Sequence, residues 1–276
     1  MNSANRALWY IETHLAEALS LDAVAEACGV SRFHLTRAFG AATGYSIMRY
    51  LRVRRLSEAA RSLSAGAGDI LAVALDAGYG SHEAFTRAFR DQFGLTPEAV
   101  RGQGHVDNLT LMEPIGMDET PLTNLDPPRF EVGAPLLIAG LGQRYTWETN
   151  TAIPAQWQRF APHIGHIPGQ VGWTTYGVCC NSDDAGNFDY VCGVEVSDFT
   201  GLPAEFARVR VPSQLYAVFT HRDHVSTLRR TVGTIWNKWL PESGREAADA
   251  PDFERYQDFD PERGTGTIEI WVPLKR

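Results

Sequence analysis

The first 104 residues contain no lysine, so all their positive charge rests on 11 arginines, set against 10 aspartates and glutamates. The rest of the chain holds 14 basic and 23 acidic residues, which brings the whole to −8. Such a near-neutral opening region beside an acidic remainder implies weak non-specific affinity for polyanions, because that attraction scales with clustered positive charge. Its one basic cluster is Arg49, Arg52, Arg54, Arg55 and Arg61. Cysteine is scarce too. Cys28, Cys179, Cys180 and Cys192 include no CxxC pair, and a chain of 276 residues with 44% hydrophobic content needs no disulfide staple. Reduced thiols are expected, with adjacent Cys179 and Cys180 the one arrangement suggestive of redox sensing. His163-x2-His166 and His221-x2-His224 lack the thiol or carboxylate companions of a metal site, so neither a metal nor a cofactor is expected. No run approaches the ~20 apolar residues of a membrane span, and no basic-then-apolar leader opens the chain. A cytoplasmic protein without a membrane partner is the expectation. Phosphate-cradling glycine loops and nucleophile–base motifs are also missing, which argues against an enzyme.

What the sequence does have is a phrase used twice. Thr36-Arg37-Ala38-Phe39 returns as Thr86-Arg87-Ala88-Phe89, and the same offset of 50 relates Ser31 to Ser81, Leu35 to Phe85 and Gly44 to Gly94. A period of that size marks a repeated supersecondary unit. In the second copy Phe85, Phe89 and Phe93 make one apolar stripe, with Glu83, Thr86, Arg87 and Arg90 on the opposite face. A short helix ending at Gly29 or Gly78 precedes each copy, and Ser31 or Ser81 opens the next helix as N-cap. Short helix, glycine turn and amphipathic helix make a helix-turn-helix, present here in tandem.

The readout face of the first unit is expected to carry Arg32, Phe33, Thr36 and Arg37, and that of the second Ser81, His82, Glu83, Thr86, Arg87 and Arg90. Arginine takes guanine bidentately or grips phosphate, threonine and aromatics meet a thymine methyl, and glutamate accepts from cytosine. A long helix from Ser46 to about Ser64 joins the units. At ~1.5 Å per residue it reaches about 27 Å, near the ~34 Å repeat of successive major grooves. An opening helix over 5–19 and support helices over 21–28 and 69–77 complete the region.

These residues resemble the DNA-binding domain of AraC/XylS-type regulators. The run is Ala-x3-Gly-Val-Ser-x3-Leu-x-Arg-x-Phe-x4-Gly-x-Ser over 25–46, continued by Arg52, Ala59, Gly78-Tyr79, Phe85-x-Arg-x-Phe, Gly94-x-Thr-Pro and Arg101. Val100 departs from it, standing where that family usually has tyrosine. The resemblance implies double-stranded DNA as a partner and RNA polymerase as a further one.

From Gly102 to Pro128 glycine and proline break any regular element, although Leu109 to Met112 suits a short edge strand. Beyond Arg129 strands dominate. Strands are expected over 136–145, 171–179 and 188–196 with a helix over 154–160. Strands over 206–211 and 215–220, a helix over 225–239, and strands over 253–259 and 267–272 then repeat that order. Trp157 and Trp236 stand in corresponding helices, and 173–176 corresponds to 253–256. Two strand–strand–helix–strand–strand halves would pack as a pseudo-twofold α+β domain with a crevice between them.

Gln214-Leu-Tyr-Ala-Val-Phe, Ile235-Trp-x2-Trp-Leu-Pro-x-Ser-Gly, Pro251-x-Phe-Glu-x-Tyr and Ile268-Glu-Ile-Trp-Val-Pro-Leu resemble the GyrI-like small-molecule-binding domain. The resemblance covers about 129–274. It implies that Glu254 faces an aromatic pocket and meets cationic, lipophilic ligands, as in multidrug binding; Thr174 takes the matching place in the first half. Strand alternation puts Glu254 and Tyr256 on one face. The aromatic set expected near the crevice is Tyr145, Trp147, Trp173, Tyr176, Tyr190, Trp236, Tyr256 and Trp271. Glu195 alternates away from Tyr190 and is either a second pocket carboxylate or a surface residue.

The fold expected is therefore multidomain. A tandem helix-turn-helix domain occupies 1–104, a linker 105–128, and a GyrI-like α+β domain 129–276. The function expected is sequence-specific transcription regulation governed by a small amphipathic or cationic effector. The alternative is that the second domain hydrolyses small molecules with Glu254 as base.

Overall fold

In the computed structural model, residues 2–116, 124–261 and 263–276 are described, and they fall into two units. One comprises 5–29 and 47–118. The other comprises 2–4, 30–46 and 119–276. The residues 117–123 of the expected linker, Pro121 among them, lie outside the described residues.

The first unit is helical. It contains most of α1 (Ser3–Thr13), then α2 (Leu21–Cys28), α4 (Ile47–Ser64), α5 (Ile70–Asp76), α6 (His82–Phe93) and α7 (Pro97–Gln103). Side-chain caps start these helices: Ser20, Asp69, Ser81 and Thr96 each accept a backbone N–H of the first turn. The opening helix stops at Thr13 rather than at residue 19. There the Thr13 hydroxyl turns back onto the Trp9 and Tyr10 carbonyls, and His14 stacks on Tyr10. Phe85 and Phe89 are fully buried among Leu56, Leu63, Ile70 and Val100. Val106, Leu109 and Leu111 pack against the same cluster, and Leu109–Met112 forms no strand. At least three of the five arginines in the cluster are committed to the protein itself. Arg54 is buried and binds Glu12, Glu58 and the Met112 carbonyl; Arg55 binds the Leu15 and Glu17 carbonyls; Arg61 pairs with Glu58 and Glu113.

The second unit is built on one antiparallel sheet. Its strands are β1 (Arg129–Gly133), β2 (Leu136–Tyr145), β3 (Gln170–Cys180), β4 (Phe188–Val196), β5 (Phe206–Val211), β6 (Gln214–His221), β7 (Asp252–Asp260) and β8 (Thr265–Leu274). Their order across the sheet is β1-β6-β8-β7-β3-β4-β2-β5. Exchanging the two halves of the sequence reverses that order and leaves it unchanged, so a pseudo-twofold axis runs through the β3–β7 seam. The first strand of each half is traded: β1 pairs with β6, and β5 pairs with β2. The strand β1 was not foreseen as a separate element.

Alternate residues give the sheet two faces. One face is covered by α8 (Ile153–Phe160) over Ala139, Tyr190, Cys192 and Val194, and by α9 (Leu228–Thr234) over Ala217, Phe219, Ile268 and Ile270. The other face holds a separate cluster that includes Ile138, Tyr176, Val178, Tyr216, Phe253 and Trp271. Helix α9 runs on through a π-helical stretch, Ile235–Trp239, a form that recurs at functional sites. This unit also contains α3 (Arg32–Thr43), the second helix of the first repeat.

Candidate functional site

The seam between the halves brings a carboxylate to aromatics. Glu254 on β7 is paired across the strands with Gly177 on β3, and Gly177 with Cys192 on β4. Tyr190, one alternate position from Cys192, reaches diagonally over Gly177 and donates its hydroxyl to Glu254 Oε2 at 2.7 Å. A Cβ at Gly177 would overlap both the Tyr190 hydroxyl and the Glu254 carboxylate. Trp157 of α8 donates its indole N–H to the Tyr190 oxygen at 3.1 Å and meets Tyr256 edge-on at 5.0 Å. Helix α8 is itself held by Gln156, which donates to the Leu141 and Tyr190 carbonyls.

Glu254 keeps some accessible surface, yet protein surrounds it on nearly every side, as at the floor of a crevice. Burial pushes its carboxyl up to about 7. The Tyr190 hydrogen bond pulls the value down, nearby Asp252 pushes it up, and Arg37 pulls it down again. Among the described residues Glu254 forms no ion pair. A carboxylate with its ionised form so disfavoured, facing aromatic rings, can exchange its proton for an organic cation.

The two helices of the 50-residue repeat differ sharply. Along α6, Glu83, Arg87 and Arg90 are exposed and Thr86 is half-buried. Ser81 caps the helix through Ala84 N, and His82 lies 3.1 Å from Glu98. On α3 the expected outward face is largely covered, Arg32 being its exposed member. Arg37 is 3% exposed and ion-paired with Asp252. Phe33 packs edge-on against Trp236 at 5.7 Å. Arg32 pairs with Asp184, and Thr36 is half-buried beside a cleft of about 400 Å³ whose far wall includes Asp183, Asp184 and Asp249. His34 Nε2 binds the Trp236 carbonyl at 2.7 Å, and Asn237 donates to the Ala38 carbonyl at 2.9 Å. The carbonyl at Trp236 and the amide of Asn237 both belong to the π-helical stretch, so this irregular turn supplies two of the polar contacts that hold α3. Gly40 lies against Trp147, whose indole fills the place of any Cβ there.

The family profile described as a GyrI-like small molecule binding domain matches residues 126–275, more than half of the sequence. The chain belongs to the GyrI-like family. A helix-turn-helix profile matches residues 24–103. The chain is 28% identical over 282 residues to the transcriptional regulator Rob of Salmonella typhimurium, covering 98% of this chain and 96% of that one. It is 27% identical over 283 residues to the right origin-binding protein of Escherichia coli K12, covering 98% and 96%. The regulatory protein SoxS of the same organism is 38% identical over 92 residues, 33% of this chain and 86% of SoxS. The protein is thus a DNA-binding transcriptional regulator that joins an AraC-type helix-turn-helix region to a GyrI-like small-molecule-binding domain.

Within the GyrI-like domain, the expected aromatic set divides three ways. Tyr190 and Tyr256 converge on Glu254. Trp236, Trp147 and Tyr145 are buried on the same face but serve α3 or its neighbours; Trp147 lies 5.2 Å from the Phe188 ring and Tyr145 6.3 Å. Tyr176 and Trp271 point to the opposite face, because Tyr176 pairs with Arg255 and Trp271 with Phe253. Glu195 lies there too, beside Tyr176 and Arg255. Trp173 is 76% exposed and lies over Gly165. Thr174 does not match Glu254, since Thr175, not Thr174, shares a face with Tyr256. Trp157, Gly177 and Asp252 were absent from the expected site. Trp157 was legible only as the partner of Trp236, and Gly177 needed the strand register.

The remaining candidates are structural. Burial raises the Cys180 thiol to about 11 and Cys179 well above its usual value, the reverse of the low value a redox sensor needs. His221 is buried against Thr231 and the His224 carbonyl. No group of three or more potential metal ligands occurs among the described residues, and none of their helices is long and apolar enough to cross a membrane.

Proposed function

We propose that the GyrI-like domain binds a lipophilic organic cation, with its charge at Glu254 and its apolar body against Tyr190, Tyr256 and Trp157. The observation that carries this reading is a carboxyl set among aromatics, hydrogen-bonded to a phenol and raised to about 7, with no ion pair of its own among the described residues. A structural carboxylate is normally given a donor array or a salt bridge; this one has the phenols of Tyr190 and Tyr256. The first repeat helix and α6 read DNA, with Arg37, Arg87 and Arg90 as the main base and phosphate contacts, and RNA polymerase is the machinery regulated. Residues 1–104 and 129–276 act as the two functional domains.

Tetraphenylphosphonium is a suitable probe because it is bulky, aromatic and unable to donate a hydrogen bond. Calorimetric titration of the full chain should show saturable binding, weakened at least tenfold by Glu254→Gln. Equal affinity in both proteins would remove Glu254 from the site. We further propose that the domain binds without chemistry, so effector candidates incubated with it should return unchanged by mass spectrometry.

A further inference from the structure

Asp252 lies one alternate position from Glu254 on the crevice face of β7, across from Cys179 on β3. In the same row on the next strand is Tyr190, with Phe188 one alternate position beyond. Arg37 of α3 fills the space over this row. Its guanidinium carbon is 5.7 Å from the centre of the Phe188 ring and 5.4 Å from that of Phe33, and it is ion-paired with Asp252. The Arg37 Nε is buried and has no hydrogen-bond partner among the described residues, so the fit is incomplete. A cation stacked on aromatic rings beside a half-buried carboxylate is what the crevice would offer an organic cation, and here a side chain of the protein supplies it.

The sequence of α3 is adapted to this place. At the matching positions of the repeat, α6 has Arg90 where α3 has Gly40, and Glu83 where α3 has Phe33. The first change lets the Trp147 indole approach the helix and the second covers Trp236. The wall that receives α3 is acidic: Asp184 meets Arg32 and Asp252 meets Arg37, much as phosphates would. Such docking is reversible in energy. Taking an arginine and an aspartate out of water nearly offsets their attraction, water can replace the hydrogen bonds of His34 and Asn237, and the packing of Phe33 on Trp236 and of Gly40 on Trp147 is what release must undo.

We propose that Arg37 is the resident cation of the effector crevice, and that a cationic effector competes with it for the Asp252–Glu254 face, expelling the first reading helix. This rests on the reading of Glu254 as the effector's carboxylate. Effector binding and release of α3 for DNA are then one event, and linkage makes the coupling reciprocal: the factor by which effector tightens DNA binding equals that by which DNA tightens effector binding.

The test uses the full chain and tetraphenylphosphonium. Arg37→Met removes the competing charge. Gly40→Arg copies the second repeat, keeps a good helix former, and drives a side chain into Trp147 without touching Asp252 or Glu254. Both variants should bind the probe at least tenfold more tightly than wild type. In the wild type, amide hydrogen exchange over 32–43 should quicken at saturating probe. The inference is overturned if both variants bind the probe with wild-type affinity, or if exchange in α3 is unchanged at saturation. In either case, persistent weakening by Glu254→Gln keeps the effector reading intact. No binding by wild type or either variant removes that reading and this inference together.

Discussion

Arg37 and Arg87 occupy the same slot in two repeated helices, yet Arg37 is 3% exposed and paired with Asp252 while Arg87 is open to solvent. Identical local sequence therefore meets opposite surroundings. The difference comes from neighbours one turn away, Gly40 against Arg90 and Phe33 against Glu83. Arg87 and Arg90 of α6 are both exposed, whereas on α3 Arg32 is exposed and Arg37 is not.

Arg87→Ala should weaken binding to a cognate promoter by about 1–3 kcal/mol if the contact is bidentate to a base. The loss should be the same with and without effector, because α6 is exposed before any ligand arrives. Fluorescence anisotropy at fixed salt measures it. Unchanged affinity would take Arg87 off the reading face.

The Arg37–Asp252 pair lends itself to a double-mutant cycle. Asp252→Asn leaves a buried guanidinium without a counter-charge and should destabilise the sheet unit by up to ~3–5 kcal/mol in urea unfolding. Adding Arg37→Met should recover much of that loss. Strictly additive effects would mean that the pair contributes nothing as a pair.

Gly177→Ala tests the floor of the crevice. The new methyl falls where the Tyr190 hydroxyl and the Glu254 carboxylate meet. It should cost about 1–3 kcal/mol of stability through overpacking and weaken tetraphenylphosphonium binding sharply. Retention of both wild-type stability and wild-type affinity would show that the two side chains do not meet above Gly177.

Cation affinity should rise with pH. The groups facing Glu254 are Asp252, Arg37, Cys179, Tyr190, Cys192 and Tyr256, and Glu254 itself is raised to about 7. If only the ionised form binds a cation, affinity scales with its fraction, a gain of about tenfold between roughly pH 6 and 8. The stability of the free protein runs the other way. The folded carboxyl holds a proton that the unfolded chain releases near 4.5, so stability falls as pH climbs from there to about 7. A flat titration of affinity would mean that the cation's charge lies elsewhere.

Much of the fold was legible because it repeats. The 50-residue phrase exposed the tandem units, and recurring strand–helix order exposed the halves of the sheet. Glu254 and Tyr256 were legible as neighbours because a strand alternates with period two. Alternation fails where the count slips. Matching 173–176 to 253–256 used an even offset of 80, which moved Thr174 to the wrong face, whereas Trp157 and Trp236 differ by the odd number 79. Tyr176 and Trp271 were misplaced for a related reason: aromatic identity says nothing about which face a residue takes, and their partners Arg255 and Phe253 do.

The covering of α3 was written in the sequence without being readable there. Phe33 on a polar face and Gly40 inside a helix are both locally unfavourable choices. They make sense only when Trp236 and Trp147, some 200 and 100 residues later, are known to lie against them.

The traded edge strands carry a consequence of their own. Because β1 completes the sheet of the second half and β5 that of the first, neither half can finish its own hydrogen bonding. A peptide holding one half alone would have to borrow its outer strand from another copy, and so could be whole only as a swapped dimer. Joining the two halves in one polypeptide turns that borrowing into an intramolecular step at high effective concentration. The halves should therefore melt together in a single transition, and a nick in the turn between β4 and β5 should leave two fragments that hold each other folded.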